Sequence, residues 1–285
     1  MSPERRPIVL CADDYGLGDG VNRAILRLAR AGRLSATGSM TNLPGFRRGA
    51  PALRELAGTV GLGLHLTLTA GAPLGPMPRL SPDGRLPSLG RLMALAFAGR
   101  LDRAEIRAEI LAEIARQCDA FTAAVGRPPD FVDGHQHVHV LPGIRGALLA
   151  VLAERRLSGR IWLRDPSDRP GALLARPSAP KAALVAGLAA GFAGAAARAG
   201  FFTNRGFSGF SDFAPGGGFP DAFERAFARP GPAPVVMCHP GEVDDEVRAL
   251  DPVVESRPLE LAYLASPRFP EFLTRERFRL VARPS

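Results

Sequence analysis

The chain has 285 residues, 46% of them hydrophobic, which is enough to bury a large core, and α/β barrels of this length often form one domain. We therefore predict a single domain over 1–285. The net charge of +8 comes from arginine, because Lys181 is the only lysine among 36 basic residues. An arginine-rich proteome explains this charge most simply, although it also suits an anionic membrane surface. Two Tyr and one Trp, with no basic run interleaved with aromatics, argue against nucleic acid as a partner.

Three observations bear on where the protein works. The N-terminus enters an apolar strand almost at once, which leaves no room for a removable signal region. The most apolar stretch, Ala182–Ala197, has 16 residues, whereas a membrane-spanning helix needs about 20. The cysteines show neither paired nor C-x-x-C spacing, which predicts no disulfide framework and fits a reducing cytosol: Cys11, Cys118 and Cys238. We expect a cytoplasmic protein that contacts the inner face of the membrane peripherally.

Apolar strand-like runs alternate with helical periodicity, which predicts βα units and a mainly parallel sheet. The functional site of such a barrel or open sheet lies at the C-terminal ends of its strands. The predicted strands, in chain order, are Ile8–Ala12, Ser35–Met40, Val60–Leu66, Asp130–His135, Arg160–Arg164 and Pro234–Cys238.

The clearest helix is predicted over Asp102–Ala124, where isoleucines recur at helical spacing. Asp102 is its expected N-cap, with Glu105 three residues later. Before this helix, Gly71–Gly90 is rich in Pro and Gly and is predicted to form a long loop after the His65 strand, where barrel enzymes shape substrate sites.

The segment 165–220 departs from the βα pattern and is a candidate substrate lid within the single domain. It holds an Ala/Gly-rich helix, in which Leu184, Leu188 and Phe192 fall four residues apart and form one apolar ridge. The ridge packs on the core in one interpretation and meets an apolar substrate in the other. A glycine-laden aromatic stretch, FFTNRGFSGFSDFAPGGGF, follows.

Three of the five histidines, His135, His137 and His139, follow an aspartate and a glycine at alternate positions. If the segment is extended, the three imidazoles share one face and form a row about 13 Å long, at about 3.3 Å per residue. All three cannot hold a single ion. Two neighbours would chelate, or one would bind the metal while the others orient ligands or touch substrate.

The remaining chemistry-bearing side chains also stand at the ends of strand-like runs. Asp13 and Asp14 end one run, and His65 and His239 end two others. In a parallel α/β fold these ends converge, which predicts a metal or acid–base site. Each group also has a structural alternative: the two acids could cap a helix near Val21, and His239 could begin a turn.

Four motifs carry a family resemblance, and they occur in the order ADDYG, GLHLTLTAGAPL, DGHQHVHVLP and VVMCHPGEVDD. Together they resemble the YdjC-type carbohydrate deacetylases, which include diacetylchitooligosaccharide deacetylases and a branch associated with hopanoid biosynthesis. The stretch FFTNRGFSGFSDF and the Ala-rich helix before it look more like the hopanoid-associated branch. The resemblance spans essentially the whole chain. It implies a distorted TIM-like (β/α) barrel of mainly parallel strands, with the site at their C-terminal ends.

The resemblance also implies a divalent ion held by Asp14, His65 and His135, with Asp13 as the base. Two imidazoles and one carboxylate leave coordination positions open, as a hydrolytic site requires, and zinc is the first choice with magnesium as an alternative. His239 is assigned the protonation of the departing amine, both from the family and because it is the remaining strand-end histidine.

Four further residues are predicted to assist. The backbone N–H of Tyr15 would stabilise the oxyanion. His137 and His139 are assigned to the sugar pocket or to orienting neighbouring groups. Arg164 resembles the arginine of a family L-R motif and would steady Asp13 or bind a sugar hydroxyl; a surface salt bridge with a neighbouring aspartate is the structural alternative.

The predicted reaction is hydrolysis of the N-acetyl group of an N-acetylglucosamine-type sugar, with a hopanoid glycolipid as the expected substrate. A chitooligosaccharide such as diacetylchitobiose is the alternative substrate. A two-metal phosphoesterase is a different enzyme class, disfavoured because the motifs supply few ligands for two ions. A non-catalytic glycan- or lipid-binding barrel is the non-enzymatic alternative. Self-association as a homo-oligomer is compatible with the chain.

Overall fold

The computed structural model describes residues 5–211, 218–251 and 254–285. In these ranges strands and helices alternate along the chain. The strands are β1 (Arg6–Tyr15), β2 (Ala36–Ser39), β3 (Gly61–Leu66), β4 (Phe131–Gly134), β5 (Trp162–Leu163), β6 (Phe202–Thr203), β7 (Phe207–Ser208), β8 (Val235–Cys238) and β9 (Phe278–Leu280). The helices are α1 (Asp19–Arg30), α2 (Pro44–Arg54), α3 (Leu89–Phe97), α4 (Ala104–Val125), α5 (Ile144–Glu154), α6 (Pro170–Leu173), α7 (Ala179–Leu188), α8 (Phe192–Arg198), α9 (Phe219–Arg225), α10 (Asp245–Leu250), α11 (Ser256–Ala265) and α12 (Arg268–Arg275).

The strands form a curved parallel sheet in the order β6-β5-β4-β3-β2-β1-β8-β7, and β9 pairs with the start of β1. Each pairing of neighbouring strands is parallel, so their C-terminal ends share one edge. Within the described ranges no ladder joins β6 to β7, so the barrel stays open there. The distorted TIM-like barrel is thereby confirmed.

The alternation along β1 separates two buried clusters. Ile8, Leu10 and Ala12 join the large cluster between the sheet and the helices. Val9 and Cys11 belong to a smaller cluster inside the barrel. Because successive side chains of a strand point to opposite faces, odd-numbered positions of β1 face the barrel interior.

A bulge near the end of β1 changes this alternation. Asp13 continues the inward-facing series, but the register between β1 and β2 shifts between Ala12 and Tyr15, and Asp14 has a left-handed backbone with φ +71°. Such a conformation costs roughly 1–2 kcal/mol for a residue other than glycine. Bulges re-aim side chains next to active sites. Here the bulge directs two adjacent carboxylates toward one side of the sheet.

Most predicted elements are found with altered ends. All six predicted strands are present, although the Arg160–Arg164 strand is reduced to two residues. The long helix begins at Ala104, and its N-cap position is Arg103, so the prediction that Asp102 caps it is wrong. Asp102 instead ends a short 3₁₀ turn, which moves the helix start two residues along the chain.

The apolar segment of the chain is longer than expected but is not one helix. Ala179–Arg198 spans 20 residues and is apolar enough to cross a membrane by length and composition, so the prediction that this stretch is too short for a membrane span is wrong on those two criteria. The structure breaks it into α7 and α8 at Gly191, whose φ of +80° ends helical geometry. At about 1.5 Å per residue neither helix approaches the roughly 30 Å of a bilayer core. The predicted continuous ridge is therefore wrong, because Leu188 and Phe192 lie on different helices.

The segment 165–220 contributes to the barrel as well as to its rim. It contains β6 and β7, which pair with β5 and β8, and it also contains α6 to α8. The predicted aromatic stretch runs into 212–217, which lies outside the described residues. Within this segment, the part that fits the predicted lid is α7, whose side chains line a cavity at the C-terminal edge of the sheet.

Candidate active site

A cavity of about 300 Å³ lies at the C-terminal ends of the strands. Asp13 and Asp14 enter it from β1, and His65 enters from β3. His135 and His239 follow β4 and β8 directly. The acids do not cap a helix, since α1 begins at Asp19 with Gly18 in the N-cap position. The convergence predicted from the strand ends is therefore present.

Asp14, His65 and His135 form a compact cluster of candidate metal ligands. Asp14 Oδ1 lies 3.1 Å from His135 Nδ1 and 3.4 Å from His65 Nε2. One donor atom from each residue lies within 4.8 Å of the other two. One carboxylate oxygen and two imidazole nitrogens make a donor set that suits zinc and other divalent transition metals, and it leaves positions open for water and substrate. The residues therefore fit the ion that the resemblance implies.

Asp133 fixes the orientation of His65. Its Oδ1 accepts a hydrogen bond from His65 Nδ1 at 2.7 Å, and it is fully buried. The two residues are paired in the β3–β4 register, which places them side by side. A carboxylate behind a histidine in this way sets the tautomer and directs the other nitrogen at the metal. In the sequence, Asp133 stands out only as the residue before Gly134, and no role was predicted for it.

The electrostatics of His65 couple metal binding to protonation. Burial lowers the pKa of His65, but the carboxylates of Asp133 and Asp13 outweigh burial and raise it to about 10. A metal ion and a proton thus compete for the same Nε2 atom, as expected for a histidine ligand.

Asp13 does not belong to this cluster, because Arg164 holds both of its oxygens. Arg164 Nη1 and Nη2 donate to Asp13 Oδ2 and Oδ1 at 2.6 and 2.7 Å, and Nη2 also lies 2.5 Å from Asp133 Oδ2. Burial raises the pKa of Asp13, yet the Arg164 guanidinium, with help from His65, holds it well below the ordinary value. Asp13 is thus an ionised carboxylate that still has oxygen lone pairs facing the cavity. Among the described contacts, Arg164 pairs with these acids and not with a neighbouring surface aspartate.

His239 also lines the cavity, directly after β8, the strand that pairs with β1. Its backbone N–H donates to Glu260 Oε2 at 2.5 Å, and Glu260 is buried on α11. Burial lowers the pKa of His239, partly offset by the carboxylates of Asp14 and Asp13. The resting imidazole is therefore neutral near pH 7, and a role as proton donor requires that it gain a proton during turnover. Glu260 had no distinguishing signal in the sequence, since it lies in an ordinary helical segment.

The predicted histidine row does not exist. β4 ends at Gly134, and Gln136 and His137 adopt left-handed backbones with φ of +53° and +58°, followed by a 3₁₀ turn. The segment is therefore not extended, and the imidazoles point in different directions. His135 faces Asp14, and His137 lines the cavity near the rings of two phenylalanines, Phe207 and Phe210.

His139 and Tyr15 lie behind the cavity wall. His139 is fully buried, and its Nε2–H donates to the Arg164 carbonyl at 2.7 Å, so the prediction of a sugar contact is wrong for His139 while that of an orienting group fits. Burial lowers the pKa of His139 to about 4, which keeps it neutral. The Tyr15 hydroxyl donates to the Gly49 carbonyl at 2.7 Å, away from the cavity. The assignment for Tyr15 concerned its backbone N–H and stays a prediction.

Arg257 is a second buried arginine at the site, and no sequence motif predicted it. Its Nη2 donates to Asp14 Oδ2 at 2.6 Å and also contacts Asp251. Burial raises the pKa of Asp14, but Arg257 and the two neighbouring histidines hold it well below its ordinary value. Asp14 is therefore ionised, with one oxygen toward the histidines and the other toward Arg257.

The other cavity wall is apolar. It is formed by side chains of α3 and α7 together with residues near β4 and β8, namely Leu89, Met93, Leu141, Leu184, Val185, Leu188 and Met237. Lys181 stands on the same wall. The cavity thus combines a charged floor at the strand ends with an apolar rim. All three cysteines are free and buried, and none lines the cavity among the described residues.

A parallel α/β barrel whose strand ends gather an Asp–His–His cluster beside a separate buried carboxylate has the architecture of a metal-dependent hydrolase. A model of the YdjC-like protein family matches residues 7–275, and the chain belongs to this family.

Two relatives and one solved structure give the extent of the similarity. The chain is 34% identical over 154 residues to a chitooligosaccharide deacetylase from Enterobacter sp. (strain 638), an alignment that spans 54% of this chain and only 58% of that protein. It is 30% identical over 274 residues to a chitooligosaccharide deacetylase from Yersinia pestis (strain Pestoides F), with 96% of each chain covered. A structure from Enterococcus faecalis V583, provisionally named a cellobiose-phosphate cleavage protein, has a TM-score of 0.70 at 20% identity and covers 98% of this chain and 97% of that one. This last similarity supports the fold.

Proposed function

We propose that the protein hydrolyses the N-acetyl group of an amino sugar in a metal-dependent reaction. The observation that carries the proposal is that two adjacent aspartates have different contacts. Asp14 faces two histidines, and Asp13 is held apart as an ionised carboxylate by Arg164. Hydrolysis of an amide needs both an activating ion and a base that is not consumed as a ligand. The names of the relatives point to the same chemistry.

Each residue then has a definable part in the reaction. Asp14, His65 and His135 would hold the ion, zinc first and magnesium as the alternative. When bound, the ion would supply Lewis-acid activation of the acetamide carbonyl and of water. Asp13 accepts the proton of the attacking water, and Arg164 keeps it ionised and oriented.

The remaining steps fall to His239 and Tyr15. The backbone N–H of Tyr15 donates to the developing oxyanion. His239 takes up a proton during turnover and delivers it to the departing nitrogen as the C–N bond breaks. Asp13 returns the proton of the attacking water to solvent, so that acetate and a free amine leave the site. His137, at the cavity wall, contacts the sugar.

The substrate we favour is a sugar linked to an apolar carrier, specifically an N-acetylglucosaminyl hopanoid. Leucines of α7 line the cavity, and Leu184 is 61% exposed at its rim. Exposed apolar surface at the mouth of a site is unusual for a soluble sugar and suits a greasy ligand. The net charge of +8 supports action at the anionic inner face of the membrane. α7 is then the lid of the site.

A chitooligosaccharide is the second candidate substrate, and the names of the relatives from Enterobacter and Yersinia favour it. The discriminating experiment compares acetate release from an N-acetylglucosaminyl hopanoid in detergent micelles with release from diacetylchitobiose. It uses the wild-type protein and a double variant, Leu184→Gln with Leu188→Gln. Leu174→Gln is the matched control, because Leu174 is 79% exposed but does not line the cavity.

The lipid proposal predicts a selective effect. The double variant should lose at least about tenfold in kcat/KM on the hopanoid, since roughly 1.4 kcal/mol of lost apolar contact is a factor of ten. It should keep its activity on diacetylchitobiose, and the Leu174 variant should match wild type on both. Equal wild-type activity on both substrates with no effect of the double variant would exclude the lipid carrier. If the metal-loaded protein releases acetate from neither substrate, the proposed deacetylase activity is excluded.

A further inference from the structure

The carboxylate of Asp14 is held from two sides, and only one of them is the histidine cluster. Its Oδ1 faces His65 Nε2 and His135 Nδ1, at 3.4 and 3.1 Å. Its Oδ2 accepts a hydrogen bond of 2.6 Å from Arg257 Nη2. An arginine hydrogen bond to a carboxylate is strong and directional. It leaves Oδ1 as the oxygen presented to the cluster.

Arg257 is itself fixed in place. It is 1% exposed, stands in the first turn of α11, and the same Nη2 contacts Asp251. Its backbone carbonyl accepts a hydrogen bond from the N–H of Gly241, two residues after His239. Asp251, Arg257 and Asp14 thus form a chain of contacts from the α10–α11 region to the end of β1. Both Asp251 and Arg257 also line the cavity.

We propose that Arg257, anchored by Asp251, is a positioning residue that makes Asp14 a one-oxygen ligand of the divalent ion. The inference rests on the proposed metal site. The guanidinium holds Oδ2 and fixes the plane of the carboxylate, so Oδ1 meets the histidine nitrogens without the entropy cost of ordering a mobile ligand. Residues that orient metal ligands in this way typically contribute about 10–100-fold to metal affinity.

Arg257 has two opposing effects on metal affinity. The direction in which the affinity changes when Arg257 is replaced therefore tests the proposal. A positive charge close to a cation site disfavours the ion, so loss of that charge alone would strengthen metal binding. Loss of the orienting hydrogen bond would weaken binding. Because the contact is direct and buried, we expect the orienting effect to win.

The experiment titrates Co²⁺ into metal-free protein and records both the dissociation constant and the visible absorption of the bound ion. The variants are Arg257→Met and Asp251→Asn. Arg248→Met is the matched control, because this exposed arginine on α10 carries the same charge outside the cluster. Arg257→Met should bind Co²⁺ about 10–100-fold more weakly. The visible absorption of the bound Co²⁺ should also become weaker, because Asp14 Oδ2, no longer held by Arg257, would coordinate the ion and raise its coordination number.

Asp251→Asn keeps the guanidinium but weakens its anchor, because the amide oxygen can still accept while the negative charge is lost. It should therefore shift affinity in the same direction by a smaller factor. It also carries the test alone if Arg257→Met does not fold, since Asp251 is part-exposed. Unchanged or tighter Co²⁺ binding with an unchanged spectrum in both variants would overturn the proposal. This outcome differs from failure of the proposed function, in which wild-type protein binds the ion but releases no acetate.

Discussion

Replacement of Arg164 by methionine gives the sharpest test of how the base is held. Arg164 is completely buried and contacts Asp13 through two hydrogen bonds and Asp133 through a third contact. Methionine fills similar space but removes every donor. Two buried carboxylates are then left without their cation.

The magnitude follows from these contacts. Removing one partner of a buried ion pair typically costs about 3–5 kcal/mol of stability. Hydrogen bonds to a charged group contribute about 1.5–3 kcal/mol each, so the two bonds to Asp13 favour its ionised form by at least about 3 kcal/mol. At about 1.36 kcal/mol per pKa unit, their loss raises the pKa of Asp13 by at least about two units. In wild type, burial raises that pKa and Arg164 brings it well below the ordinary carboxyl value, so the base is ionised across the usable pH range.

The assay is the pH dependence of kcat/KM for acetate release by the metal-loaded enzyme, with urea unfolding measured in parallel. Protonated Asp13 cannot accept a proton, so activity falls on the acid side of its pKa. In Arg164→Met this acid limb should move up by about two units. Arg155→Met serves as control, because Arg155 pairs with a mostly exposed Asp119, and such pairs contribute at most about 1 kcal/mol. An acid limb at the same pH in Arg164→Met and wild type would refute the role of Arg164 and of Asp13 as the base.

Two further predictions concern the scaffold around the site. Burial raises the pKa of Glu260 from 4.5 to about 7, so the native state of the metal-free protein holds a proton there that the unfolded chain releases above its own pKa. The free energy of unfolding should therefore fall by up to about 3 kcal/mol as pH rises through that window. Glu260→Gln should lack this pH-dependent loss, although its amide oxygen can still accept the His239 N–H. If urea unfolding at pH 5 and pH 8 gives the same change in free energy for wild type and Glu260→Gln, the assignment is contradicted. Gly209 has φ +103°, and a Cβ there would lie 2.1 Å from the Met237 carbonyl oxygen, so Gly209→Ala should cost about 2 kcal/mol or more in denaturant unfolding. Gly187→Ala, in α7 with open space around it, should instead gain about 0.5–1 kcal/mol, and similar effects of the two substitutions would show that the local geometry is wrong.

The convergence of the site could be predicted from the sequence because it depends on one simple rule. Parallel strands end at the same edge of a sheet, so residues that follow apolar runs meet there whatever their separation along the chain. Asp13, Asp14, His65, His135 and His239 meet in this way. The strand positions needed only apolar runs and their boundaries, which are local features.

The details that decide chemical roles could not be predicted, because they depend on backbone irregularities and on distant packing. The bulge at Asp14 turns a side chain that strand alternation would direct outward, and the left-handed pair at Gln136 and His137 breaks the histidine row. Asp, Gln and His adopt negative φ in most cases, so the residue types alone do not predict these conformations. Arg257 and Glu260 lie in a helix whose sequence is ordinary, and only the tertiary fold places them against the site.

The central claim is that Asp13 is the base and Asp14 a ligand, although the two residues are adjacent. The most direct test measures bound zinc and acetate release together in purified Asp13→Asn and Asp14→Ala proteins. The claim predicts that Asp13→Asn keeps about one ion per chain and loses about 10²–10⁴-fold in turnover, as expected for removal of a general base. It predicts that Asp14→Ala loses the ion and the activity together. If the Asp13→Asn protein stays active, or if it loses its metal, the assignment of Asp13 as the base and Asp14 as the ligand is contradicted.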